Sequence, residues 1–198
     1  FIVPGDNEWN DQDDPDLHWS YWTKHFLRFD SNWPGPGGGR TERQEDREEN
    51  FAFVLKGVLF IGINHVGGRV HDAEEWKTRH HHNARWIGRQ FGAHRDKVRA
   101  AVVFAQASAD RKAPRFLGKF REHALSFKKP VLYLHADGHK WFVRPGEWAA
   151  NVTHVQLDVV NAQFPPVRVT VSTDPGKPFA FDRRLENKRW RADSSPAP

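Results

Sequence analysis

The stretch VLFIGI at residues 58–63 is the longest apolar run in the chain, and Asn64 follows it directly. A membrane span needs about 18–20 apolar residues, so this run predicts a buried strand and no membrane span. Similar runs follow at 101–106 (AVVFAQ) and 131–135 (VLYLH), with helical patterns between them. Alternation of helices with apolar strands is typical of an α/β fold.

The N-terminal quarter is predicted to begin with a short strand at residues 1–3. Asp14 followed by Pro15 indicates a helix start, because Asp caps free backbone N–H groups and Pro fits the first helical turn. Apolar spacing extends this helix to about residue 29. A Pro- and Gly-rich stretch and a charged stretch together occupy 31–50, and they predict one long solvated loop.

Lys56-Gly57, between the apolar runs FAFVL and VLFIGI, predicts a tight hairpin turn. Asp72 with Glu75 three residues later predicts the start of a second helix. A third helix is expected over 114–127. In the last third, alternating patterns predict antiparallel strands without intervening helices, at 141–143, 152–158, 167–172 and 179–182. We therefore expect one domain over residues 1–184 and a flexible tail over 185–198.

Composition limits the classes of function. The 198 residues include no Cys, which excludes disulfides and thiolate metal sites. They also include no Met and begin at Phe1, so we expect a processed or truncated chain. The net charge of +5 is spread along the sequence, and this favours no specific nucleic acid. A sequon at Asn151-Val152-Thr153 is compatible with a secreted or lumenal protein.

Polar side chains stand at the ends of three predicted strands. Asp6-Asn7-Glu8 follow the first strand, Gln106 ends AVVFAQ, and His135-Ala136-Asp137-Gly138-His139 follow VLYL. Sites in α/β sheets gather at the carboxyl ends of strands. Oxygen ligands with a histidine suit Mg, Mn, Fe or Zn. The alternative interpretation, ordinary turn residues, stays open at this point.

Other histidines invite comparison with a metal site. His80, His81 and His82 are consecutive, and on a helix they point in directions about 100° apart, so we expect a solvated helix face there. Asn64-His65 follows the run VLFIGI and is a further candidate for the same strand-end region.

The strings PGDNEWND, AQAS and KPVLYLHADGHKW, in this order, resemble the calcineurin-like metallophosphoesterase superfamily. They are most similar to a branch with GDNEW in place of G-N-H-[DE]. The resemblance covers residues 1 to about 184 and implies part of a layered α/β metallophosphoesterase-like sandwich with C-terminal antiparallel strands. It also implies two divalent metal ions (Mn, Zn, Fe or Mg) that activate water to hydrolyse a phosphate ester.

The resemblance assigns roles to five residues. Asp6, Gln106, Asp137 and His139 fall at metal-binding positions, and Asn7 falls at the position of the proton donor. Asn7 cannot act as a general acid, because an amide does not titrate. Two earlier motifs of the superfamily are not in the chain, and we expect a missing N-terminal half or a protein partner.

Two functions follow from these observations. The first is a metal-dependent phosphoesterase. The alternative is a catalytically inactive homologue that serves as a structural or binding subunit of a larger assembly. The nine Trp residues of this polar chain favour a buried contact with such a partner.

Overall fold

A computed structural model describes residues 1–34, 40–159, 165–174 and 176–184. The tail predicted at 185–198 lies outside these residues, as do 35–39 of the predicted loop. The chain has an α/β fold with three α-helices, a seven-stranded sheet and a two-stranded sheet in its described part. The helices are α1 (Pro15–Phe26), α2 (Ala73–His94) and α3 (Pro114–Phe127), with a 3₁₀ turn at Phe29–Asn32. The strands are β1 (Glu42–Gln44), β2 (Arg47–Leu55), β3 (Val58–Gly62), β4 (Ala100–Phe104), β5 (Val131–His135), β6 (Phe142–Pro145), β7 (Val152–Gln156), β8 (Arg168–Val171) and β9 (Phe179–Asp182).

The main sheet has the order β1-β2-β3-β4-β5-β7-β6. Its centre, β3, β4, β5 and β7, is parallel, whereas β1, β2 and β6 add antiparallel pairs at the two edges. The three apolar runs at 58–63, 101–106 and 131–135 form the central strands β3, β4 and β5, as predicted. The parallel strands therefore end at one edge of the sheet, where the polar residues that follow them are brought together.

Helices α2 and α3 pack on one face of the sheet and form the main core with residues such as Leu59, Val103 and Tyr133. The other face carries a second apolar layer, in which the β8–β9 hairpin packs Val169 and Phe181 towards Val102 and Leu132. None of the helices in the described ranges is long and apolar enough to cross a membrane.

The predicted starts of two helices and one predicted hairpin turn are confirmed. Asp14 accepts a hydrogen bond from the Leu17 backbone N–H at 3.0 Å and caps α1. Asp72 accepts from the N–H groups of residues 74 and 75 at 2.9 and 3.0 Å and caps α2. Lys56 and Gly57 both have positive φ, 48° and 71°, as a two-residue hairpin turn of this hand requires.

Two predictions at the N-terminal side are wrong. Residues 1–3 form no strand. The Phe1 ring instead stacks on the Phe53 ring, with 4.4 Å between the ring centroids. The charged stretch 41–50 is not a solvated loop but contains β1 and the first half of β2. Its residues Gln44, Glu49 and Asn50 are buried, and Asn50 donates to Gln44 and to Asn83 of α2 at 2.8 Å each. A hydropathy pattern does not indicate that polar side chains will be buried with hydrogen bonds to one another.

The C-terminal prediction is correct only in part. β8 and β9 are antiparallel to each other, and β6 is antiparallel to β7. However, β7 also pairs in parallel with β5, with Val131 opposite Val152. β6 occupies the sheet edge and returns the chain, which allows β7 to enter beside β5 in the parallel direction.

Candidate functional site

The carboxyl ends of the parallel strands are joined by backbone hydrogen bonds beyond the strands themselves. The N–H groups of Gln106 and Ala107 donate to the carbonyl of His65 at 3.2 and 2.9 Å. The Ala136 N–H in turn donates to the carbonyl of Gln106 at 3.0 Å. The segments that follow β3, β4 and β5 are therefore held side by side at the carboxyl edge of the sheet. We call these hydrogen-bonded segments the ledge.

The GDNEWND loop lies on this ledge. The carbonyl of Asp6 accepts from the N–H groups of Trp9 and Asp11, both at 3.1 Å, so the loop closes on itself as a compact turn. The Asn10 side chain is fully buried and donates to the carbonyls of Gly67 and Arg69 at 2.9 and 2.6 Å. These bonds give the Asn10 amide a structural role beside the carboxylates of the loop.

Trp9 packs the loop against helix α2. Trp9 is 3% exposed, and its ring centroid lies 4.7 Å from the guanidinium carbon of Arg79; the Trp76 centroid lies at the same distance from that carbon. Arg79 is fully buried, and its Nε donates to both carboxylate oxygens of Glu75 at 3.1 Å. The contact of one buried cation with both indoles fixes the position of the loop relative to α2.

Asp6 and Gln106 meet at the centre of the ledge. Gln106 Nε2 donates to Asp6 Oδ1 at 2.9 Å, although the two residues are 100 positions apart. The same Asp6 oxygen accepts from the Asn7 N–H at 2.9 Å, and Gln106 Oε1 accepts from the Gly67 N–H at 2.7 Å. The Gly67 bond fixes the orientation of the Gln106 amide and turns its NH2 group towards Asp6.

Asp137 approaches the same glycine from the neighbouring strand end. A Cβ atom placed on Gly67 would lie 2.9 Å from Asp137 Oδ2, so the carboxylate packs closely against this glycine. Asp137 has a left-handed backbone (φ 51°), a conformation that Asp tolerates better than most residues. Arg111 lies 3.5 Å from Asp137 Oδ2 and balances its charge. We call Asp6, Gln106 and Asp137, grouped around Gly67, the strand-end cluster.

Two predicted site residues stand apart from this cluster. The side chain of Asn7 is exposed, and it takes part in the cluster only through its backbone N–H. His139 is exposed and has a left-handed backbone (φ 58°) two residues beyond Asp137. The structure thus brings together three of the five predicted residues.

The cluster fits the edge of a hard-cation site. Carboxylate and amide oxygens are the ligands that Mg²⁺ and Mn²⁺ prefer, and the cluster contains two carboxylates and one amide. In the described part of the chain, no group of three or more His, Asp or Glu is placed to hold an ion.

A buried histidine pair beside the ledge was missed by sequence reasoning. His135 Nε2 lies 2.7 Å from His154 Nε2, and His154 Nδ1 contacts a carboxylate oxygen of Glu147. Burial, with the neighbouring His154, lowers the pKa of His135 to about 3. Burial also lowers the pKa of His154, against the opposing effect of Glu147. Alternation along β7 places His154 on the same buried face as Val152, and this was the available signal.

The His80–His82 prediction is wrong for its first member. His81 is exposed, but the His80 side chain is buried and stacks on His65 at 4.5 Å between ring centroids. His65 is also buried, with Nε2 3.0 Å from the Ser108 carbonyl oxygen. His65 therefore supports the loop after β4 rather than extending into the strand-end cluster.

The sequon asparagine is used by the fold itself. Asn151 Nδ2 donates to the carbonyls of Ala124 and Lys129 at 2.7 and 2.8 Å, tying the end of α3 to the start of β7. Attachment of a glycan to this nitrogen would replace one of its two hydrogens and so remove one of these bonds.

Comparison of the chain with protein-family models, with curated proteins and with solved structures gave no match.

Proposed function

We propose that the chain is a phosphate ester hydrolase of the metallophosphoesterase type, with the strand-end cluster as part of its active site and its α/β fold as part of the layered sandwich. The observation that carries this proposal is the convergence of Asp6, Gln106 and Asp137 around Gly67. These residues come from three distant segments, and the motif resemblance selects all three independently of the structure.

Asp6 and Asp137 would hold a divalent cation at this edge, with the Gln106 amide beside them. Such an ion, when bound, polarises a phosphate ester and lowers the pKa of a bound water. The protein contributes position: Gly67 packs against Asp137 and donates to Gln106, and the contacts of Arg79 with Trp9 and Trp76 hold the GDNEWND loop in place. Asn7 offers an exposed amide for hydrogen bonding to an ester oxygen, without proton transfer.

Turnover of 4-nitrophenyl phosphate with Mn²⁺ or Zn²⁺ tests this proposal. Asp137→Asn preserves the size and the left-handed backbone but removes the charge, and we expect it to lower turnover at least roughly tenfold. Asp96→Asn changes an exposed carboxylate just beyond α2 and is the matched control, with turnover expected to stay unchanged. Equal turnover in both variants would remove Asp137 from the mechanism.

A second candidate, a non-catalytic binding or structural subunit, is favoured by one specific observation. The Gln106 amide directs its NH2 group, not its oxygen, to Asp6, and Arg111 neutralises Asp137. In this alternative the cluster serves only to fix the loop. It predicts no metal-dependent turnover in the wild-type protein, together with loss of stability in cluster variants.

A further inference from the structure

A cleft of about 960 Å³ opens between the N-terminal halves of α2 and α3, on the helical side of the sheet. The two helices run side by side in the same direction. Trp76 Nε1 donates to the Lys112 carbonyl at 3.4 Å near their starts, and Phe91 stacks on Phe127 at 4.5 Å near their ends. The volume is within the range of small-molecule sites.

The floor of the cleft is apolar, and small residues lie beside it. Trp76 and Phe116, 5% and 1% exposed, form the floor, and Ala84 and Ala113 lie beside them. Gly118 lines the wall formed by α3, and a Cβ atom placed on it would meet nothing within 4 Å. The space above the aromatic floor is therefore open along α3.

One buried polar group lines this cleft without a partner. The His80 side chain is 5% exposed, and its Nε2 has no hydrogen bond to any residue of the described chain. Its ring packs against His65 at 4.5 Å and Trp76 at 5.1 Å. Buried polar atoms in folded proteins normally have partners, so an unpaired nitrogen at a cleft points to a ligand.

The charge at one end of the cleft is positive. Lys77 and Lys119 are paired with Glu74 and Glu122 at 3.3 and 2.8 Å, and these four side chains balance one another. Lys112 Nζ donates to the Gly68 carbonyl at 2.7 Å rather than to a carboxylate. Within the described residues, Arg115 makes no ion pair.

The start of α3 adds to this positive end. Ala113 precedes the helix and offers no side-chain cap, so backbone N–H groups of the first turn lack a side-chain acceptor. The partial positive charge of a helix N-terminus favours an anion, and Lys112 and Arg115 flank this position.

We infer that this cleft is a binding site for a small organic carboxylate with an apolar body. The carboxylate lies at Lys112, Arg115 and the start of α3, and the body covers Trp76 and Phe116 towards Gly118. His80 Nε2 provides a hydrogen bond to a polar atom of the ligand. From residue 114 to residue 122 a helix rises about 12 Å, the length of a ten-carbon chain. This site is distinct from the strand-end cluster.

Isothermal titration of the full chain with decanoate tests the inference. We expect saturable binding of one decanoate, and binding at least tenfold weaker for acetate, which lacks the body, and for decyltrimethylammonium, which reverses the charge. Absence of saturable decanoate binding would overturn the inference. So would equal affinity for the cationic chain, because it would indicate unspecific apolar contact.

Two glycines offer a matched pair of variants. Gly118→Phe fills the cleft from a position with open space, whereas Gly92→Phe adds the same side chain to an exposed position of α2 outside the cleft. We expect decanoate affinity to fall at least tenfold in Gly118→Phe and to stay within twofold in Gly92→Phe. An equal effect of the two would contradict the site.

Arg115→Glu keeps the test decisive if Gly118→Phe does not fold. The Arg115 side chain is exposed, so its replacement leaves the core intact. We expect decanoate affinity to fall at least tenfold and acetate binding to remain negligible. Unchanged decanoate affinity in Arg115→Glu would overturn the inference.

Discussion

Gln106 and Asp6, 100 positions apart, are joined by one hydrogen bond of 2.9 Å from the amide Nε2 to the carboxylate Oδ1. Through its other atom, Gln106 Oε1, the same amide holds the Gly67 N–H at 2.7 Å. A single side chain thus connects the GDNEWND loop, the segment after β3 and the end of β4. The strand-end cluster depends on this connection.

Replacing Gln106 by Leu should lower the free energy of unfolding by about 2–4 kcal/mol, because the buried Asp6 carboxylate loses one of its donors and the Gly67 N–H loses its acceptor. Gln156→Leu is the control, since Gln156 makes one exposed hydrogen bond, to the Lys140 carbonyl, and its loss should cost about 1 kcal/mol or less. Urea denaturation measures both. Equal losses would show that the Gln106 bridge is not a structural connection.

Asn151→Ala should lower the free energy of unfolding by about 2 kcal/mol, since two backbone carbonyls at the end of α3 lose a donor. Thr153→Ala, which also removes the sequon, is the control. If the Thr153 variant were as unstable as the Asn151 variant, the loss would not come from these hydrogen bonds.

His80 makes stability depend on pH. Burial and the nearby Arg79 lower its pKa in the folded state to about 3, against an ordinary value of 6.5. Below pH 6.5 the unfolded chain takes up a proton that the folded chain does not, so stability is complete above pH 6.5 and is lost as the pH falls towards 3. At pH 5 the loss from this one residue is about 2 kcal/mol.

The variant His80→Phe keeps an aromatic ring between His65 and Phe116 and removes this proton. Urea denaturation at pH 7 and pH 5 should show a smaller decrease in the variant than in the wild type. His135, with a similarly low pKa, is present in both proteins and does not alter the comparison. An identical decrease would mean that His80 is not buried as a neutral ring.

The buried pair His135–His154 should have defined tautomers. Glu147 accepts from His154 Nδ1–H, which leaves His154 Nε2 as an acceptor and requires His135 to carry its proton on Nε2. Long-range ¹H–¹⁵N spectra at pH 7 report these protonation sites directly. In Glu147→Gln the preference of His154 should weaken; an unchanged spectrum would exclude control by Glu147.

The main features of the fold follow from local patterns in the sequence. The parallel strands were predictable because β3, β4 and β5 are buried on both faces and read as continuous apolar runs. β1 and the start of β2 were not, because Asn50, Gln44 and Asn83 are buried through mutual hydrogen bonds. Such pairing depends on distant partners and leaves no periodic signal.

The candidate site shows the same division. Motif order selected Asp6, Gln106 and Asp137, and position at the end of a strand supported Gln106 and Asp137; in the structure Gln106 contacts Asp6, and Asp137 packs against Gly67 beside them. These sequence signals did not reveal that the three residues are grouped around Gly67, since this grouping depends on the close approach of two loops. His139 follows the left-handed Asp137, and its exposed position results from a local turn that the motif alone does not specify.

The proposed function requires that the strand-end cluster forms part of a hard-cation site used in phosphate ester hydrolysis. Electron paramagnetic resonance titration with Mn²⁺ tests this requirement, because it distinguishes free from bound ion without depending on turnover. We predict that the wild type and Asp96→Asn bind Mn²⁺ alike, that Asp137→Asn binds at least roughly tenfold more weakly, and that Gln106→His binds more tightly. Identical Mn²⁺ affinity in all four proteins would contradict the claim.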